Sequence, residues 1–222
     1  MGTISVNKLG GLALMIAPVV TLIFYFLQPG GAIIDAADPA DGVATMAAMV
    51  SNVGLGKLTS IVIPIGLIVI LSGILVLQEN VRSNGNGDAQ SRIAVLFILT
   101  GTIGWVVSSG TSLAITGSPL PTEQAVALNA SLYSATLGIG TVAGILWGIG
   151  TLALALAIST REDSNNIAAL VAAVAAVVAI VVTIIGGLDS TTLETMTLIS
   201  GITYLVHMVW FFMLGLNLSK VE

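Results

Sequence analysis

Cysteine is absent from this chain. That removes disulfides, thiolate metal sites, cysteine nucleophiles and S-palmitoylation together. Charge is almost as scarce: Asp, Glu, Lys and Arg make up 8% of the residues, against roughly 25% in an ordinary soluble domain. No basic run exists, so nucleic acid is excluded as an expected partner. Histidine occurs once and aromatic residues amount to 5%, so rings are too few to fill most helix contacts. What remains is apolar and small. Hydrophobic residues make up 56% of the 222-residue chain, glycine contributes 25 residues, and the mean hydropathy is +1.07. Too few charges are present to cover a water-soluble surface. The surplus apolar surface must face lipid, and the bilayer is the first expected partner.

A membrane-spanning helix needs about 20 mostly apolar residues to cross roughly 30 Å of hydrocarbon. Six stretches qualify, over residues 9–28, 58–78, 93–117, 132–158, 167–188 and 195–218. None holds an Asp, Glu, Lys or Arg in its interior. The runs are continuously apolar rather than alternating, which argues against barrel strands. The expected fold is therefore all-α, one polytopic domain over residues 1–222. Lys8 ahead of the first run and Gly30-Gly31-Ala32 behind it loosely resemble a secretory signal. The run is longer than the 7–15 residues of a signal core, so the first helix is expected to be retained. Met1-Gly2 lacks the Ser or Thr of a myristoylation signal, since Val6 stands there.

Basic residues set the expected orientation. With the N-terminus inside, Lys8, Arg82, Arg92, Arg161 and Lys220 are cytoplasmic and only Lys57 is outside. Both termini are then cytoplasmic. The acids Asp35, Asp38, Asp41, Glu123, Asp189 and Glu194 collect on the outer side. In the long first outer loop, DPADGVATMAAMVSN reads as a short helix with Asp38 as N-cap and Pro39 at its first position. Val43, Met46, Ala47 and Val50 share one face at helical spacing, which suits a helix at the outer interface or capping the bundle. Asp35, Asp38 and Asp41 lack the two-residue spacing of a calcium loop. The loop GSPLPTEQAVALN is expected to hold a second short helix after Pro121. Pro18 and Pro64 are expected to kink their helices.

Gly140, Gly144 and Gly148 form GxxxGxxxG on the fourth span. Faces without Cβ atoms let backbones approach closely in lipid. The third span offers Thr100, Gly104, Ser108 and Ser112 as a matching stripe, with Thr111 beside it, and the fifth offers Ala168, Ala172 and Ala176. Close packing of the third span on the fourth through these faces is expected. The same hydroxyl stripe is a candidate lining for a hydrated path. His207 lies near the middle of the sixth span, with Tyr204, Trp210 and Phe211 on its face and Thr203 one turn away. An ionisable group at that depth is a functional candidate. Yet no intramembrane carboxylate stands by to form a proton relay, and the several ligands of a zinc site are lacking. Haem ligation by His207 with Met15 has no further support. No cofactor is expected, and a neutral imidazole bonded to a neighbouring helix is the simpler reading. Trp105 and Trp147 also fall mid-span, away from the interfaces where such rings usually sit.

The order of features in the first half is a helix, a polar loop with DAADPADGVATMAAMVSN, a helix ending LVLQE and a helix starting SRIAVLF. It resembles an uncharacterised prokaryotic family of six-helix membrane proteins. The resemblance implies the helix count and assigns no site residue. Lacking paired acids, metal ligands and nucleophile–base sets, the chain is expected to be a non-enzymatic accessory or structural membrane component, with a membrane-protein partner or a second copy of itself. Alternatives are a small transporter or channel for a neutral or apolar solute, and an intramembrane enzyme or cofactor binder using His207.

Overall fold

The structure, a computed structural model, describes residues 4–83, 87–162 and 164–221. Among these residues it contains helices and no strand. The helices are α1 (Val6–Phe26), α2 (Gly42–Ser51), α3 (Val53–Ser83), α4 (Asp88–Thr116), α5 (Thr122–Ser159), α6 (Asn166–Leu188) and α7 (Leu193–Leu218), the last entered through a 3-10 turn at Ser190–Thr192. Among the described residues, six helices are long and apolar enough to cross a membrane, and α2 is too short. Large apolar side chains such as Ile61, Ile103, Val174 and Val209 point outward from these helices. In water such a surface would aggregate; in hydrocarbon it is the correct exterior. The chain is that of a multi-pass membrane protein.

Each long helix packs on its neighbours in sequence, α1 on α3, α3 on α4, and so on to α6 on α7, and α1 also packs on α7. The result is a closed ring. The closure rests on glycine. Gly11 of α1 and Gly215 of α7 face each other so tightly that a Cβ on either would fall 2.6 Å from the carbonyl oxygen of the other. Hydrogen bonds tie the same end together. Asn80 Nδ2 donates to Asn7 Oδ1 at 2.9 Å, Asn7 Nδ2 donates to the Val221 carbonyl at 3.4 Å, and Arg161 donates to the Val81 carbonyl at 3.4 Å. The described ends of the chain thus lie side by side. The opposite end carries α2 and is called here the cap end.

Two boundaries differ from expectation. No separate helix follows Pro121: α5 runs without a break for 38 residues. At 1.5 Å per residue it is about 57 Å long, nearly twice the roughly 30 Å of hydrocarbon. The segment TEQAVALN has no breaker after Pro121, so the fourth span extends back through it. The short helix in the first loop also starts later than expected. The Asp38 carboxylate accepts from the Ala40 amide at 2.8 Å and the Asp38 carbonyl accepts from the Asp41 amide at 2.8 Å, which closes a turn over Pro39. The N-cap is therefore Asp41, whose carboxylate accepts from the Ala44 amide at 2.9 Å. Val43 consequently points outward, 65% exposed, whereas Met46, Met49 and Val50 pack against Ile115, Ala125, Val126 and Tyr133. α1 and α3 run on as continuous helices through Pro18 and Pro64.

Candidate functional site

His207 is completely buried on the inner face of α7. Its Nε2 lies 3.2 Å from the Ala172 carbonyl oxygen of α6. A carbonyl only accepts, so Nε2 carries a proton; with no interior Asp or Glu in the spans to balance a buried imidazolium, the ring is the neutral Nε2–H tautomer. Nδ1 is then a bare acceptor, and it has no partner among the described residues. Ala172 belongs to the run of small residues on α6, and the small side chains there let the imidazole reach the backbone.

Around His207 the centre of the ring is filled by aromatic side chains from three helices. Trp105 of α4 contacts Trp147 of α5, with ring centroids 5.2 Å apart, and meets Tyr204 of α7 edge-on at 5.7 Å. Trp147 meets Phe211 edge-on at 6.4 Å, and the Tyr204 and His207 rings are also 6.4 Å apart. Edge-to-face rings at these distances are attractive beyond their area alone. Because α4 and α7 are not sequence neighbours, the Trp105–Tyr204 contact crosses the ring. Thr203 is buried and donates to the Ser200 carbonyl at 2.7 Å, within its own helix.

The hydroxyl stripe of α4 does not converge on His207 as one line. Thr100 is exposed on the outer surface and donates back to the Leu96 carbonyl at 2.8 Å. Ser112 is buried near the cap end. Ser108 is the member that reaches another helix, donating to the Thr136 carbonyl of α5 at 3.2 Å. Beside it, Thr111 and Thr136 share a hydroxyl–hydroxyl bond of 2.6 Å. Thr136 thus belongs to a small polar seam between α4 and α5. The sequence signal that could have found it is its place four residues before Gly140, on the small-residue face of α5.

α4 and α5 do make the most extensive helix pair, but through different glycines than the motif suggested. A Cβ on Gly101 would fall 2.8 Å from both the Ala143 carbonyl oxygen and the Trp147 amide nitrogen. One on Gly150 would fall 2.7 Å from the Ile98 amide nitrogen and 2.8 Å from the Ala94 carbonyl oxygen. Gly104 joins them, facing the Ala143 side chain. Within GxxxGxxxG, Gly148 instead faces Ile180 of α6, and Gly144 faces Tyr204 and Thr183 on α7 and α6. Gly140 looks toward Ser108 at an ordinary contact distance. The motif face is therefore split among three partners. The Ala168, Ala172 and Ala176 face of α6 includes the carbonyl that His207 uses.

A concavity lies at the cap end, a groove of about 600 Å³ between the start of α2 and α5. Asp38, Asp41, Met46, Tyr133, Ser134 and Leu137 are among its walls. Tyr133 donates to the Pro39 carbonyl at 2.9 Å and holds the start of α2 against α5. Among the described residues, no group of three or more His, Asp or Glu is placed to hold a metal ion. The centre offers one neutral imidazole, two indoles, a phenol and short-range hydroxyls. That set can bond helices together or hold a small neutral guest, but it has no acid–base pair.

Comparison with known proteins yields no match to a family model, a curated protein or a solved structure.

Proposed function

We propose that the chain serves as a non-enzymatic accessory or structural component of the cell membrane. The observation that carries this reading is the filled centre of the helix ring. Trp105 and Tyr204 meet across it, and His207, the single histidine, spends its Nε2–H on a backbone carbonyl. A centre crossed by ring contacts suits a scaffold better than a conduit. The end bearing Arg82, Arg92, Arg161 and Lys220 faces the cytoplasm under the positive-inside rule, and the cap end with Lys57 faces outward. α2 then lies at the outer interface. α5 exceeds the hydrocarbon thickness, and near its start Leu128 is 71% exposed. Together with the outward-facing Val43, this supports contact with a membrane-protein partner or a second copy at that end. Purification from the native membrane in mild detergent tests the reading. A defined partner or a stable homo-oligomer is expected, and a chain that always runs as a free monomer refutes it.

The seam of Ser108, Thr111 and Thr136 favours a second reading, a small transporter or channel for a neutral or apolar solute. It requires solute flux in proteoliposomes that falls when Ser108 and Thr111 are replaced by Ala, and unchanged flux removes it.

A further inference from the structure

Hydroxyls in the spanning helices mostly satisfy themselves. Thr100, Thr102, Thr116, Thr136 and Thr141 each donate to the carbonyl four residues back, at 2.8–2.9 Å. Thr151 of α5 departs from this pattern. Its Oγ1 is buried and has no partner among the described residues, and the same is true of Trp147 Nε1 and His207 Nδ1. Thr21 of α1 is a fourth such case and sits apart, against Gly66 of α3.

The other three are gathered around one contact. Trp147 and Thr151 are one turn apart on α5, and His207 and Phe211 are one turn apart on α7. The Trp147 and Phe211 rings touch, so all three groups lie within a turn of that pair. α6 supplies a second ruler. Gly148 of α5 packs beside Ile180 and the Ala176 carbonyl, which sets Thr151, three residues on, near the next turn of α6. His207 bonds the carbonyl of Ala172, in that same turn. Thr151 and His207 thus lie level with the same stretch of α6.

The chemistry of the three groups is complementary. The indole N–H only donates, His207 Nδ1 only accepts in this tautomer, and a threonine hydroxyl does both. A guest serving them must accept from the indole and donate to the imidazole. It must also be neutral, because the runs contain no interior charge to balance an ion. Water meets each requirement, and buried waters typically bond polar groups that the protein leaves unpaired. We propose that Trp147, Thr151 and His207 enclose an internal hydration site. Ordered water there accepts from Trp147 Nε1–H, donates to His207 Nδ1 and pairs with the Thr151 hydroxyl, joining α5 to α7 past α6.

The sign of one substitution tests this. Thr151→Val keeps the shape and exchanges the hydroxyl for a methyl. For a hydroxyl that bonds nothing, the change relieves a buried polar group and the full chain in detergent melts at a higher temperature. For a hydroxyl bonded to internal water, Tm falls, and we expect a drop of about 2–4 °C, the response to losing one hydrogen bond in a chain of this size. Nitrogen-15 NMR of the single histidine gives a readout on the unaltered protein. The Nδ1 resonance is expected away from the free-imine position, displaced toward that of a hydrogen-bonded nitrogen. A Tm that rises or stays constant in Thr151→Val, or a free-imine Nδ1 resonance in the native chain, overturns the site.

Discussion

Replacing Gly101 by Ala adds one methyl group at a point where α4 and α5 meet backbone to backbone. Its Cβ would meet the Ala143 carbonyl oxygen and the Trp147 amide nitrogen, both at 2.8 Å and both backbone atoms. Neither can rotate away, so the helices must separate, and overpacking of this kind typically costs about 1–3 kcal/mol. Against this, Ala is a better helix former than Gly by roughly 1 kcal/mol. Gly138→Ala is the natural control. Gly138 is also mid-helix, but beyond its own helix backbone nothing lies within 4 Å of where its Cβ would be. The propensity gain is common to both substitutions and cancels in their difference. Gly101→Ala is thus expected to be less stable than Gly138→Ala by about 1–3 kcal/mol. For a chain of this size that is roughly 2–12 °C in Tm. Thermal unfolding of the detergent-purified variants, followed by loss of the monodisperse species, measures it. Gly140→Ala, the outermost glycine of the sequence motif, should resemble Gly138→Ala, because its Cβ would have only Ser108 Oγ at 3.7 Å. If Gly140→Ala proves the more damaging, the α4–α5 contact is not the one described.

Tyr133→Phe keeps the ring against Gly42 and removes the bond to the Pro39 carbonyl. The expected loss is about 0.5–1.5 kcal/mol, with faster proteolysis in the loop before α2 than in the unaltered chain. The Asp189 carboxyl is held below the usual Asp range by the hydroxyl and amide of Thr191. A depressed folded value means that this contribution is complete above the ordinary Asp range and fades as pH falls through the folded value. The stability gap between the unaltered chain and Asp189→Asn should therefore be constant above about pH 5 and narrow below about pH 4. Because the chain has no cysteine, single cysteines report sidedness without background. Cysteines replacing Arg82 and Arg161 should be labelled from the same side of the membrane and one replacing Asp38 from the other. Labelling of the first two from opposite sides refutes the even number of crossings between them.

The six spans were legible because each is a long apolar run without charge, and hydrocarbon accepts no other backbone arrangement for such a run than a helix. Their ends were less legible. Nothing in TEQAVALN marks where helix leaves lipid, so α5 begins ten residues before its apolar core. α2 starts one turn beyond the Asp38 that the sequence suggests, because two aspartates each offer a carboxylate to a nearby amide and only the turn over Pro39 decides which one starts the helix. His207 was legible as a lone polar group at mid-span, and its bond to another helix was the reading the sequence favoured. Its partner, the Ala172 carbonyl, was not readable, since every residue carries a carbonyl and only packing selects one.

Composition and run length alone settled that this chain is helical, crosses lipid repeatedly and carries no charge at depth, because burying a charge or an unpaired backbone in hydrocarbon is prohibitive whatever the fold. Tertiary structure decided which faces meet. GxxxGxxxG is a property of one helix, whereas close approach needs two. The glycines that set helix spacing were those whose partners also offered bare backbone: Gly101 and Gly150 between α4 and α5, and Gly11 and Gly215 where the ring closes. Which small residue finds such a partner depends on the rotation and register of both helices, and these are set only once all six pack together.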